Sequence, residues 1–221
     1  MPSLRQVLEK ARANHISPAV RKSIFNEVTQ AIIADPTRFS ALPSIDTRTH
    51  HSKGSYVRVY KSKETGAEVI VKDCGIMLKG KVAGYNLPVI EGVDYKNHLR
   101  FYSAYRRALK RGAFKPERYV LTRIRPYGVF SISEKSGPKF FLVMEKLNSF
   151  SFEQIEEHWH RHGLGQAVWE MEDHLKGIMQ SDTTKKLKRP QAGKGTIVLG
   201  NTNPEEPEKG KWVVALPHDI G

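Results

Sequence analysis

Two runs rich in β-branched and aromatic residues, Tyr56–Tyr60 and Glu68–Lys72, flank the turn Glu64-Thr65-Gly66. They predict a β-hairpin, and the rest of the chain must be arranged around it. Further strand pairs follow. Tyr127–Ser133 and Lys139–Glu145 surround Glu134-Lys135-Ser136-Gly137, and Thr196–Leu199 and Lys211–Leu216 surround Asn201-Thr202-Asn203-Pro204. Helical patterns separate these pairs. Ser3 is placed to cap a helix reaching about Asn14, and Ser17-Pro18 opens a second that runs to Ala34, where Asp35-Pro36 stops it. Ile24, Val28, Ala31 and Ile32 give that second helix one apolar face, which must pack on something. Ala41 to Lys53 reads as a polar linker, and Ser151 to Met179 as helix again. The expected class is α+β.

Composition narrows the partners. Of 221 residues, 36 are Lys or Arg against 23 Asp or Glu, a formal net charge of +13. With 39% hydrophobic and 27% charged residues the chain lies in the globular range, which excludes a disordered tail or a fibre. One Cys excludes a disulfide framework and a thiolate metal site, and it suits a reducing compartment. Cys74 has no companion at ligand spacing and is expected to be packed rather than reactive. No run of 18 apolar residues occurs, so no membrane span is expected. Met1-Pro2-Ser3-Leu4-Arg5 lacks the apolar core of a secretory signal, which points to a cytoplasmic location.

The positive charge is concentrated. Tyr95 to Arg125 holds ten Lys/Arg and one acid, Glu117, which is +9 in 31 residues. Leu99, Tyr102 and Arg106 recur at helical spacing, as do Phe101, Tyr105 and Leu109, so this stretch opens as an amphipathic helix ending near Gly112. A second run, Lys185 to Lys194, has five Lys/Arg and no acid, and its Pro and Gly make it a loop. Such charge is either solvated surface or a docking site for an acidic partner. Aromatic residues interleave with the arginines, as in single-strand nucleic-acid binders, but the same spacing suits a helix that buries them.

Chemistry concentrates between Gly54 and Asp73. A glycine entering a strand lets backbone N–H groups approach phosphate oxygens. Lys72, near the end of the neighbouring strand, can reach the same phosphates as a point charge. Gly54-Ser55-Tyr56-Val57-Arg58-Val59-Tyr60-Lys61 followed by Val69-Ile70-Val71-Lys72 resembles the glycine-rich loop and lysine strand of the eukaryotic-type protein kinase family. Lys139 to Leu147 resembles the strand into the kinase hinge, where backbone groups bind adenine and a bulky residue, here Met144, guards the back pocket. His174-Leu175-Lys176-Gly177-Ile178-Met179-Gln180-Ser181-Asp182 resembles the family's catalytic loop, H-x-x-G-I-x-H-R-D. Trp212–Leu216 followed by His218-Asp219-Ile220-Gly221 is similar to the strand and D-F-G. These segments stand in family order from Ser52 to Gly221.

The resemblance implies an antiparallel-sheet N-lobe with an N-terminal helical extension and a much reduced helical C-lobe. The division would be 1–50 for the extension, 51–147 for the N-lobe to the hinge and 148–221 for the C-lobe. It implies ATP and Mg2+ as cofactors. Gly54, Ser55, Tyr56, Lys72, Met144, Glu145 and Leu147 would hold the nucleotide, and Asp219 the magnesium. Asp182, with Lys72, would serve catalysis by orienting a Ser/Thr hydroxyl and accepting its proton. The partner would be a protein substrate or acidic protein surface.

The chain departs from the family at several positions. Ser52 and Val57 replace two of the three loop glycines, Gln180 and Ser181 replace the catalytic-loop His and Arg, and Leu187 stands where Asn is expected. Lys185 or Lys186 is a candidate for the γ-phosphate. The acid partner of Lys72 is open, Glu91 being the candidate at a plausible separation. No activation segment follows Gly221, which suggests a truncated chain or a minimal kinase like the small effectors some bacteria inject into host cells, delivered without a cleaved signal. Two alternatives stay open: a pseudokinase that binds nucleotide or protein without turnover, and a polyanion or nucleic-acid binder on the same scaffold. His218-Asp219 as the metal pair of an HD-type phosphohydrolase lacks its further ligands, and His50-His51 reads as surface.

Overall fold

The computed structural model describes residues 2–12, 16–43, 57–78, 81–82, 91–135, 137–180 and 196–216. In chain order its elements are α1 (Leu4–Ala11), α2 (Pro18–Ala34), α3 (Thr37–Ala41), β1 (Val57–Lys61), β2 (Glu68–Leu78), β3 (Lys81–Val82) and α4 (Glu91–Lys110). They continue with β4 (Tyr119–Thr122), β5 (Pro126–Glu134), β6 (Gly137–Glu145), α5 (Phe152–Arg161), α6 (Leu164–Met179), β7 (Ile197–Asn201) and β8 (Trp212–Ala215). The fold is α+β. Among the described residues no helix is long and apolar enough to cross a membrane.

Two compact units form, each from separated stretches. A sheet unit takes Asn14–Asp94 and Arg125–Lys146; a helical unit takes Met1–Ala13, Tyr95–Ile124 and Leu147–Gly221. The N-terminal helices are therefore shared out rather than forming a part of their own. α1 belongs to the helical unit, whereas α2 and α3 belong to the sheet unit.

In the sheet unit the order is β1-β2-β6-β5, all antiparallel, with β3 beside β2. The first hairpin closes through Gly66 in the left-handed region, φ +70°, a conformation glycine adopts without steric cost. α2 begins where Ser17 Oγ accepts from the Val20 N–H, with Pro18 in the first turn. Ile24, Val28 and Ile32, all fully buried, lie on Tyr60, Val69, Val71, Phe130, Phe141 and Val143. Each such side chain contributes roughly 1.5–3 kcal/mol of burial. Gly128 of β5 is required here, since a Cβ on it would fall 2.5 Å from the Phe25 ring of α2. Glu27 ties the helix to the hairpin turn by accepting from the Ser62 hydroxyl (2.6 Å), the Lys63 N–H (2.7 Å) and the Tyr60 hydroxyl (3.0 Å). Burial opposes ionisation of this carboxyl, but these donors together outweigh it and hold it below the ordinary carboxylate range.

The helical unit packs α4, α5 and α6 with a three-stranded sheet in the order β4-β8-β7. Capping boxes at Ser3/Gln6 and Ser151/Gln154 start α1 and α5. The helical stretch from Ser151 to Met179 forms two helices divided at His162-Gly163, where Gly163 has φ +72°. Leu164, Met171, Leu175, Tyr119 and Trp212 form the centre of the core. α1 lays Val7 and Ala11 against Leu199 and Val213. β4 has no counterpart among the expected strands. It pairs parallel to β8, with Tyr119 opposite Trp212, and four residues inside a basic stretch do not announce a long-range partner. α3 is likewise not among the expected helices; it ends at Ala41, the first residue of the expected linker.

Ile24→Ala should cost about 2–5 kcal/mol, because Ile24 is fully buried between α2 and the sheet and its loss leaves a cavity. Urea unfolding of this variant beside the exposed-site control Gln30→Ala checks it. Equal midpoints for the two would remove α2 as the cover of the sheet.

Candidate functional site

Lys72 lies on β2, with β1 on one side and β6 on the other. Val57 is opposite Lys72 and Lys72 opposite Leu142; Val59 is opposite Ile70 and Ile70 opposite Met144. Paired residues share a face and successive residues alternate, so these six side chains form one face. The opposite face carries Tyr60, Val69, Val71, Phe141 and Val143, the residues under α2. Lys72 therefore projects away from α2, within a row that is otherwise apolar. Leu142, Ile70 and Met144 are buried, and Lys72 is half-buried. A lysine so placed lays its stem along apolar surface and carries a compact charge at its tip, a kind of group that suits phosphate.

β6 carries the face toward the residues expected at the hinge. Glu145 pairs with Val69, three residues before Lys72, or about 10 Å along the strand. The Glu145 side chain has a local task. Its carboxylate accepts from the Arg125 N–H at 2.7 Å, and its own N–H donates to the Arg125 carbonyl at 2.8 Å. A side-chain ligand is thus not the role its geometry gives it. Leu147 belongs to the helical unit, where it packs with Val7, Ala11, Leu199 and Val213. The following backbone is pinned there, with the Asn148 N–H on the Ala11 carbonyl and the Phe150 N–H on the Val198 carbonyl, both at 2.8 Å.

Gly54, Ser55, Tyr56, Asp182 and Asp219 lie outside the described residues, as do His50, His51, Lys185, Lys186, Leu187 and His218. The flanks of the two aspartate segments are described. β7 and β8 are antiparallel, with Ile197 opposite Ala215. The segment containing Asp182 enters β7 through Thr196, and the one containing Asp219 leaves β8 through Leu216; both residues are buried. One end of one strand pair thus serves both segments. Among the described residues no group of three or more His, Cys, Asp or Glu that could hold a metal ion comes together.

Other expected residues find structural places. Cys74 is buried. Asn201 and Asn203 lock their turn: Asn201 donates to the Pro207 carbonyl (3.1 Å), and its Oδ1 accepts from the Asn203 N–H (2.7 Å). His174 has Nδ1 2.8 Å from the Tyr119 hydroxyl and stacks on Phe114 at 4.4 Å. Burial raises the pKa of both Tyr119 and its neighbour Tyr105, the latter to about 12. A second cluster went unrecognised in the sequence, although His158 and His162 stand four apart on one helical turn. His158 sits against Phe150 and Trp212, its ring 4.9 Å from that of His162, and its Nδ1 is buried without a hydrogen-bond partner. Burial, then the His162 charge, holds its pKa below the ordinary imidazole value.

No protein-family model, curated protein or solved structure matches the chain.

The His158 shift has a pH consequence. The unfolded chain takes up a proton that the folded state resists, so this contribution to stability is complete above about pH 6.5 and declines as pH falls below it. Urea midpoints between pH 7.5 and 5 should fall more steeply for the native chain than for His158→Phe. Parallel curves would assign the acid response to other groups.

Proposed function

We propose that the chain is a compact phosphotransferase of the protein-kinase type, moving the γ-phosphate of ATP to a Ser or Thr hydroxyl of a protein. The observation that carries this reading is the row Val57–Lys72–Leu142. It sets a half-buried lysine on an apolar sheet face, between the strand that follows Gly54 and the strand that leads to Met144 and Glu145. The lysine suits phosphate oxygens.

On this reading Lys72 holds the nucleotide phosphates and Asp182 accepts the proton of the attacking hydroxyl. The hydroxyl oxygen bonds to the γ-phosphorus as the bond to the bridging oxygen breaks, and ADP departs. Magnesium, when bound, neutralises phosphate charge, and Asp219 is the residue that would hold it. Catalysis of this kind rests on positioning and electrostatics, so few groups are required. A second reading, a binding module without turnover, draws on Gln180 and Ser181 standing where the family has His and Arg.

Transfer from labelled ATP to the chain itself or to a generic protein substrate separates these readings. Transfer is expected, falling at least about a hundredfold in Asp182→Ala and Asp219→Ala. Transfer that survives both substitutions overturns the assigned site. No transfer by the native chain, with ATP binding that Lys72→Met weakens, leaves the binding module.

A further inference from the structure

The C-terminal half of α4 and the turn after it expose a set of cations that the kinase reading leaves without a task. Arg106, Arg107 and Lys110 follow one another on the solvent side of the helix, while Phe101, Ala104 and Tyr105 face the core. Arg111 and Lys115 continue the set into the turn, and all five side chains are exposed. None of the five forms an ion pair with a described residue.

The turn is built firmly. The Ala113 N–H reaches back to the Ala108 carbonyl at 3.1 Å, and Gly112 takes φ +68°, which together close the helix. Phe114 stacks on His174, and the Glu170 carboxylate accepts from the Glu117 and Arg118 N–H groups at 2.7 and 2.9 Å. Lys115 therefore has a fixed root. A helix C-terminus favours cations in its last turn, which accounts for Arg107 and Lys110. It does not account for Arg106, one residue before that turn, or for Lys115, beyond the helix.

Two features choose among polyanions. Among the described aromatic residues that interleave with the arginines, Phe101, Tyr105 and Tyr119 are 2%, 3% and 1% exposed, and Tyr102 stacks on Tyr105 inside the unit. Base stacking, the main sequence-tolerant attraction of single-strand binders, therefore finds no platform in Phe101, Tyr102, Tyr105 or Tyr119. In addition, Leu109, which the helical spacing assigns to the apolar face, is 41% exposed beside these cations. A phosphodiester backbone has nothing apolar to offer it, whereas a protein segment of carboxylates and aliphatic side chains does.

We propose that Arg106, Arg107, Lys110, Arg111 and Lys115, with Leu109, form a docking surface for an acidic protein segment containing an aliphatic residue. The surface needs no nucleotide, so its test is independent of phosphate transfer. The probe is a fluorescein-labelled 15-residue peptide of Glu and Asp with a central Leu, titrated with the full chain at low salt and read by anisotropy. Arg106→Glu/Arg107→Glu/Lys110→Glu should weaken binding at least about tenfold, and Leu109→Ser about threefold. Lys22→Glu/Lys63→Glu/Lys135→Glu, an equal charge change on the sheet unit, should leave it within about twofold. Circular dichroism melts confirm that each variant is folded. Equal affinity for the two triple variants overturns the proposal. So does tighter binding of a DNA duplex of equal charge than of the peptide, which would make the surface one for nucleic acid.

Discussion

The packing of α2 on one face of the β1-β2-β6-β5 sheet decides where chemistry can occur in the sheet unit. A strand shifted by one residue would turn all its side chains over. The fully buried Ile24, Val28 and Ile32 on Val69, Val71, Phe141 and Val143 forbid that shift. With the odd-numbered residues of β2 held under the helix, Ile70 and Lys72 must project to the other side. Gly128 beneath Phe25 and Glu27 on the hairpin turn hold the same register from two further positions. A lysine on the helix side would have had to leave its charge in a dry core, at a cost that no partner there could offset. The packing of α2 is thus what fixes the direction of Lys72.

Local chemistry was legible in the sequence. Ser17-Pro18 and Asp35-Pro36 bracket α2 where it is observed, and Glu64-Thr65-Gly66 marks the first turn, because caps and turns are chosen by residues within a few positions. Pairing between distant segments was not legible. The parallel contact of β4 with β8 joins strands separated by 89 residues, 123–211, and nothing in Tyr119–Thr122 names Trp212–Ala215 as partner. Helical periodicity also overreached at Leu109. Ala104 and Ala108 let α4 approach its neighbours closely, so the buried stripe runs along Phe101, Ala104, Tyr105 and Ala108 and leaves Leu109 at its edge. Of the candidate site, the sequence supplied Lys72 and Met144. Only the register could say that they share a face and that the Glu145 carboxylate is turned to the Arg125 N–H.

The net charge of +13 reads differently once its placement is known. Five exposed cations gathered at the end of one helix produce a local field, which decays over about 8–10 Å at physiological salt. Such a field steers and orients a partner more than it adds affinity. The rings that suggested a nucleic-acid surface serve instead as the interior against which the helix is held, so the arginines project on a rigid support.

α6 connects this surface to the proposed chemistry within the helical unit. Glu170 and His174 of α6 hold the basic turn through the Glu117 and Arg118 N–H groups and the Phe114 ring. The same helix ends at Met179, three residues before Asp182. The anchor of the turn and the root of the Asp182 segment are therefore parts of one rigid rod, about 1.5 Å per residue apart. A partner seated on the basic turn would be tied to that root through α6. If both proposals hold, the surface selects which protein hydroxyl can reach Asp182, and its contribution to specificity is geometric before it is electrostatic.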